Sequence, residues 1–143
     1  MKGLDESLAI LDESVANHKY YDAIFGHSQG AMMAAIWLAK SLTRGDVDPE
    51  KRCPKVAVLS GASYPQCQAP LFDQVSKLDC PTKTVHTIGK ADNINPPVLA
   101  EKLAGSFKNS VILRHHGGHI FPQDEVALAT MADAMREAGL LQI

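Results

Sequence analysis

Three side chains in this sequence are of the types that can share one proton: the hydroxyl of Ser28, the imidazole of His119 and the carboxylate of Asp92. A serine hydroxyl is a weak nucleophile near neutral pH. It needs an imidazole to take its proton and an acid to orient that imidazole. Ser28 lies in Gly26-His27-Ser28-Gln29-Gly30, a GxSxG pattern between the apolar run Ala23-Ile24-Phe25 after Asp22 and the helix-like run Ala31 to Ala39. In that setting the serine sits on a tight strand-to-helix turn. Both flanking glycines are expected to remove side chains that would clash, leaving the hydroxyl exposed. A bare GxSxG also matches ordinary glycine-rich turns, so the residues downstream must decide.

Those residues occur on two later loops. Asp92 lies in Gly89-Lys90-Ala91-Asp92-Asn93-Ile94-Asn95-Pro96, and His119 in Arg114-His115-His116-Gly117-Gly118-His119-Ile120-Phe121-Pro122. Each has a plainer reading: Asp92 as the cap of a helix starting near Pro97, His119 as a solvated loop histidine. The histidines of HHGGH raise a metal site, but Gly117 and Gly118 break the i, i+4 helical geometry of a zincin and the motif holds no Glu, so no metal is expected. Ser60 is a second candidate nucleophile with no glycine two residues before it; ending its strand is the simpler role. His27, His86, His115 and His116 receive no catalytic role.

The elements that must hold these groups emerge from hydrophobic periodicity. Leu4, Leu8, Leu11 and Val15 predict an amphipathic helix over 4–17, with acids at its start where the macrodipole favours them. A strand at about 21–26 is followed by a helix over 29–42 with apolar residues nearly all round, which implies burial on most sides. Arg44 to Pro49 reads as a polar loop. Strands are expected at 55–60, 82–88 and 109–113, the first two closed by Gly61 and Gly89. Helices are expected at 97–107, with Val98, Leu99 and Leu103 inward, and at 124–138, with Val126, Leu128, Met131 and Met135 inward. Alternating strands and helices predict a parallel sheet of about four strands flanked by helices, with ligands gathering at the carboxyl ends of the strands. A single domain over 1–143 is expected, since no repeat or linker divides the chain.

Fourteen Lys and Arg against sixteen Asp and Glu give a net charge of -2. That balance supplies neither a basic footprint for nucleic acid nor a polybasic membrane patch. Cys53, Cys67 and Cys80 are an odd number without a CxxC pair, which suggests a reducing compartment rather than a disulfide framework. Acids at positions 5, 6, 12 and 13 interrupt any signal-peptide core, and Ala31 to Ala39 is too short to span a bilayer. A cytoplasmic protein without a membrane span is the expectation.

An acid-rich helix before GHSQGA, a strand ending in LSG, a GxxD loop followed by Pro, and HxGGHxxP together resemble the FSH family of serine hydrolases, which includes the ovarian-cancer-associated-gene-2-like proteins and belongs to the α/β-hydrolase superfamily. The order serine, acid, histidine is that of the superfamily. The resemblance runs from about Gly3 to the last helix. It implies an α/β-hydrolase fold truncated to its carboxyl-terminal portion. It also implies Ser28 as nucleophile, Asp92 as acid, His119 as general base and the Gln29 backbone N–H as one oxyanion donor. The implied reaction is hydrolysis of a carboxylic ester or thioester of a small acyl substrate through an acyl-enzyme, without a cofactor.

Family members carry further strands before the first helix read here, and a loop after one of them, usually marked by a His-Gly pair, gives the second oxyanion N–H. The expectation is that this donor comes from elsewhere or is absent, which costs about a hundredfold or more in rate. The elbow strand is likewise expected to have an unpaired apolar edge, met by self-association into a homo-oligomer or by the chain being a fragment or truncated gene model of a longer hydrolase. Lys90 stands where relatives often carry another acid. The connection from Gly61 to Pro81 can hold a short helix, and Tyr64, Leu71 and Phe72 with Ile94, Ile120 and Phe121 are the candidate acyl pocket, core packing being the alternative for each. Two further functions compete: an inactive fold remnant binding an acyl ligand or a protein, and a nucleotide-binding domain cradling phosphate at Gly26 to Gly30. The second lacks any GxGxxG or GxxxxGK pattern.

Overall fold

The computed structural model of the chain describes residues 3–18, 21–45 and 48–141. Helix α1 (Leu4–Asn17) precedes strand β1 (Ala23–His27) and helix α2 (Gln29–Thr43), with Asp5 and Glu6 in the first turn of α1. A single turn, α3 (Pro49–Arg52), leads to β2 (Val56–Ser60). Periodicity gives no sign of this turn. Asp46 and Val47 of the expected polar loop lie outside the described residues. The long connection after β2 folds as a 3-10 turn (Gln66–Gln68) running into α4 (Ala69–Val75), followed by β3 (Lys83–Gly89), α5 (Pro97–Ala104), β4 (Ser110–His115) and α6 (Glu125–Glu137).

The four strands form one parallel sheet in the order β1-β2-β3-β4. Strand β2 is buried along its whole length and β3 along nearly all of it, as expected of central strands covered on both faces. One core lies between the sheet and α2, where Ala31, Ala34, Ala35, Ile36 and Leu38 meet Ala57, Leu59, Phe72 and Phe107. The other lies under α6, where Ala127, Met131 and Ala134 meet Val56, Val58, Val85 and Leu113. Two expected inward stripes hold at Leu103 and Met131, which are buried, and at Leu99 and Met135, which pack against the cores, but need correction elsewhere. Val98 is 68% exposed, and Val126 and Leu128 are 73% and 51% exposed. Alanines take their places, because α5 and α6 sit close to the sheet through Ala100, Ala104, Ala127 and Ala134.

Helix α1 buries Leu4 and Leu8 in the α2 core and is tied to the body by one carboxylate as well. Asp12 Oδ1 accepts the Trp37 indole N–H at 3.0 Å and an Arg52 guanidinium N–H at 3.1 Å. Among the described residues β1 pairs only with β2. Its other edge is unpaired among the described residues, and Phe25, on the sheet face it shares with Val58, is 57% exposed. Beside that edge, Ile10 and Leu11 of α1, Ile24 and Phe25 of β1 and Met33 of α2 line an open groove of about 480 Å³ that reaches Gln29 and Gly30.

Candidate active site

The site is built from the loops that leave the strands at one edge of the sheet. After β1, Ser28 takes φ 56 and ψ -121, and it is the one non-glycine residue with positive φ among those described. Such a conformation costs on the order of 1 to 3 kcal/mol and persists only where the surroundings impose it. Here the Ser28 amide donates to the Ser60 carbonyl at 2.8 Å, and the Ser28 carbonyl accepts from Ala31 and Met32 as the first bonds of α2. Gly26 makes the turn sterically feasible, since a Cβ on it would lie 2.6 Å from Gly30 C and O and 2.7 Å from Ala31 Cα. The expectation for Gly30 is overturned: a Cβ there meets nothing within 4 Å, and its φ is ordinary.

After β3, the loop closes on Asp92, which is 5% exposed. One of its oxygens, Oδ1, accepts from the backbone N–H of Ile94 at 2.9 Å and of Asn95 at 2.8 Å. The capping alternative therefore does not describe Asp92, because α5 starts after Pro96 and the carboxylate serves its own loop. Burial by itself pushes the Asp92 carboxyl up. The hydrogen bonds from His119, Asn95 and Ile94, together with the charge of His119, outweigh it and hold the group below its ordinary value. Asp92 is therefore ionised and only accepts.

After β4, the His-Gly-Gly-His loop brings His119 between the other two groups. His119 Nδ1 lies 2.8 Å from Asp92 Oδ2, and Nε2 lies 2.8 Å from Ser28 Oγ. An ionised carboxylate requires Nδ1 to be the donor, which leaves Nε2 to accept the Ser28 proton. The acid and histidine loops are stitched together by backbone: Lys90 N–H to His115 O at 2.9 Å and Ala91 N–H to Gly117 O at 3.1 Å. Gly89 permits this approach, since a Cβ on it would collide with the carbonyl oxygens of Gly117 and Gly118.

The loop after β2, which the sequence marks as a candidate wall of the site without a role for Gly61 itself, supplies the floor beneath His119. Gly61, at φ +58, forms a floor: a Cβ on it would lie 3.2 Å from His119 Cε1 and 3.3 Å from His119 Nδ1. Asn95 ties the acid loop to this floor by donating its side-chain N–H to Gly61 O at 2.6 Å. The backbone amide of Gln29, at the head of α2, has no preceding helical turn to bond and sits where the helix dipole is positive.

The six apolar residues expected to wall a pocket separate into two groups. Tyr64 and Phe72 are 5% and 1% exposed and pack together with ring centroids 5.6 Å apart, so they belong to the α2 core rather than to a pocket. Leu71 is half-buried against that core. Ile94 and Ile120 are 69% and 57% exposed on the loops that carry Asp92 and His119. Half-buried Phe121 meets Phe25 edge-to-face at 5.1 Å. His86 is a core residue, 2% exposed, bonded to Thr84 Oγ1 at 3.0 Å and pushed down to about 4 by burial. No helix among the described residues is long and apolar enough to cross a membrane.

Known proteins resemble this chain in both sequence and fold. It is 30% identical over 120 residues to the esterase CG5412 of Drosophila melanogaster, covering 84% of this chain and 41% of that protein. It is 29% identical over 121 residues to the esterase OVCA2 of Bos taurus, covering 85% of this chain and 52% of that protein. The chain thus spans about half the length of these curated relatives. The crystal structure of Zea mays acyl-protein thioesterase 2 superposes with a TM-score of 0.64 at 19% identity, over 93% of this chain and 65% of that one, a likeness of fold. The family model described as serine hydrolase (FSH1) matches residues 1–131, and the chain belongs to that family of α/β hydrolases.

Proposed function

We propose that the chain hydrolyses carboxylic esters or thioesters of small acyl substrates through an acyl-enzyme on Ser28. The observation that carries this reading is the unbroken relay of 2.8 Å contacts from Ser28 Oγ through His119 to Asp92. Ser28 Oγ attacks the acyl carbonyl while His119 Nε2 takes its proton. The imidazolium so formed is stabilised by Asp92, whose Oδ2 alone faces it because Oδ1 is occupied by the loop amides. The Gln29 N–H meets the developing oxyanion. His119 then returns the proton to the departing alcohol or thiol, and water repeats the sequence to release the acid. Ile94, Ile120 and Phe121 form the proposed apolar rim for the acyl group.

Thioesters are included because a fold neighbour is named an acyl-protein thioesterase. A second reading, ligand or partner binding without turnover, draws on the open edge of β1 and the exposed Phe25, where a second copy of the chain would pair. A fluorophosphonate probe tests the first reading. Labelling is expected in the wild type, lost in Ser28→Ala and strongly reduced in His119→Ala. Folded wild-type protein that takes no label and turns over no p-nitrophenyl ester overturns it.

A further inference from the structure

His27, between Gly26 and the nucleophile, has no part in the relay, yet it stands beside it. The sheet register aligns His27 with Ser60 and Ser60 with Thr87, so three side chains form a row across β1, β2 and β3. Thr87 Oγ1 donates to Ser60 Oγ at 2.8 Å, and Ser60 Oγ lies 3.2 Å from His27 Nδ1. Ser60 and Thr87 are 0% and 1% exposed. The far end of the row is the His27 ring, whose centroid is 5.1 Å from that of His119 at a tilt of 42°. Both rings close on Gly61, where a Cβ would also lie 3.4 Å from His27 Cε1.

The row has a direction. The Ser60 oxygen receives the Thr87 proton, and Ser60, shut away from water, must place its own proton on a partner; its other contact is His27 Nδ1. His27 Nδ1 is then an acceptor, and the ring holds its proton on Nε2. A cationic His27 would turn the Ser60 hydroxyl away from its acceptor and set a second positive charge beside the imidazolium that His119 must become. His119 is the titratable group facing His27, with Asp92 behind it; Ser60, Gly61 and Thr87 bring no charge.

We propose that His27 is a positioning residue for His119: a wall, locked by the Thr87–Ser60 hydrogen bonds, that holds the base in line between Ser28 and Asp92. The inference rests on the hydrolase reading of Ser28, but its first test does not need turnover. Long-range proton–nitrogen NMR of the full chain should show His27 with a bare Nδ1 and a protonated Nε2, a tautomer lost in Ser60→Ala. Steady-state hydrolysis of a p-nitrophenyl ester supplies the second. His27→Gln, whose amide oxygen can accept the Ser60 proton, should retain kcat within about threefold, whereas His27→Ala and Ser60→Ala should each lose about tenfold in kcat with KM little changed. His27→Lys, which fixes a cation beside His119, should lower kcat and move the acid limb of the rate profile to lower pH, a shift that loosened packing alone does not produce. A protonated Nδ1 in the folded wild type, or wild-type kcat in both alanine variants, overturns the proposal. An inactive wild type with the expected tautomer would defeat the hydrolase reading while leaving the locked ring intact.

Discussion

The two glycines of the GxSxG pattern differ in a way that substitution exposes. A methyl group on Gly26 would sit 2.6 Å from Gly30 C and O and 2.7 Å from Ala31 Cα. Carbon contacts settle near 3.5 to 4.0 Å, so the overlap is about 0.9 Å or more. All the atoms struck are backbone in the first turn of α2, which cannot step aside without dragging Ser28. Overpacking of this kind costs about 3 kcal/mol, which in a chain of this size lowers the unfolding midpoint by roughly 10 °C. A methyl group on Gly30 meets nothing within 4 Å, and that residue is helical. Gly30→Ala is therefore expected to stabilise by up to about 1 kcal/mol, because alanine loses less backbone entropy in a helix. Thermal unfolding of the two single variants, with ester hydrolysis measured alongside, separates these outcomes. If Gly26→Ala melts with the wild type, or Gly30→Ala falls as far as Gly26→Ala, the steric account of the elbow is wrong.

Asp92→Asn keeps an oxygen for the Ile94 and Asn95 amides, so the loop should stand, but it removes the carboxylate that orients His119; kcat should drop about a thousandfold or more. Steady-state rates within tenfold of wild type would contradict that orienting role. Gly61→Ala adds a Cβ at φ +58 against the His119 ring and should reduce kcat by about tenfold to a hundredfold with KM little changed; unaltered kcat in a folded variant would remove Gly61 from the site. His86 makes stability depend on pH: burial pushes the folded-state imidazole down from 6.5 to about 4, so the unfolded chain binds more protons within that window. Its contribution is complete above pH 6.5 and declines as pH falls, by about 3 kcal/mol at pH 4. Denaturant midpoints across that range should fall more steeply in the wild type than in His86→Leu, and parallel slopes would refute the assignment.

The residues of the relay are legible in the sequence because chemistry restricts their types. Ser28, Asp92 and His119 each stand in a glycine-bearing loop after an apolar run, and a parallel sheet brings such loops to one edge. Strand positions differ from expectation by a residue or two, since β-branched content marks where pairing is favourable but not where it stops. On α5 and α6, side-chain size is a poor guide to burial at Val98, Val126 and Leu128, because helices lying close to a sheet bury their alanines and turn larger residues outward. Tyr64 and Phe72 depart from the expected pocket for a related reason. The segment after β2 folds back as a 3-10 turn and α4, and that fold needs their rings to cover its inner side. The row from His27 to Thr87 has no signature along the chain at all. It exists only through strand register, which one sequence does not reveal.

Each of the four strands delivers one component: the alcohol after β1, the glycine floor after β2, the carboxylate after β3 and the imidazole after β4. A slip of one strand by two residues, the smallest that keeps its side chains on their proper faces, would displace its component by roughly 6.6 Å. Contacts of 2.8 Å do not survive such a displacement. The proposed ester turnover would thus be a ruler laid across the sheet: during refolding, helicity can return while strands are still misaligned, but hydrolysis would reappear only in molecules whose alignment is correct throughout.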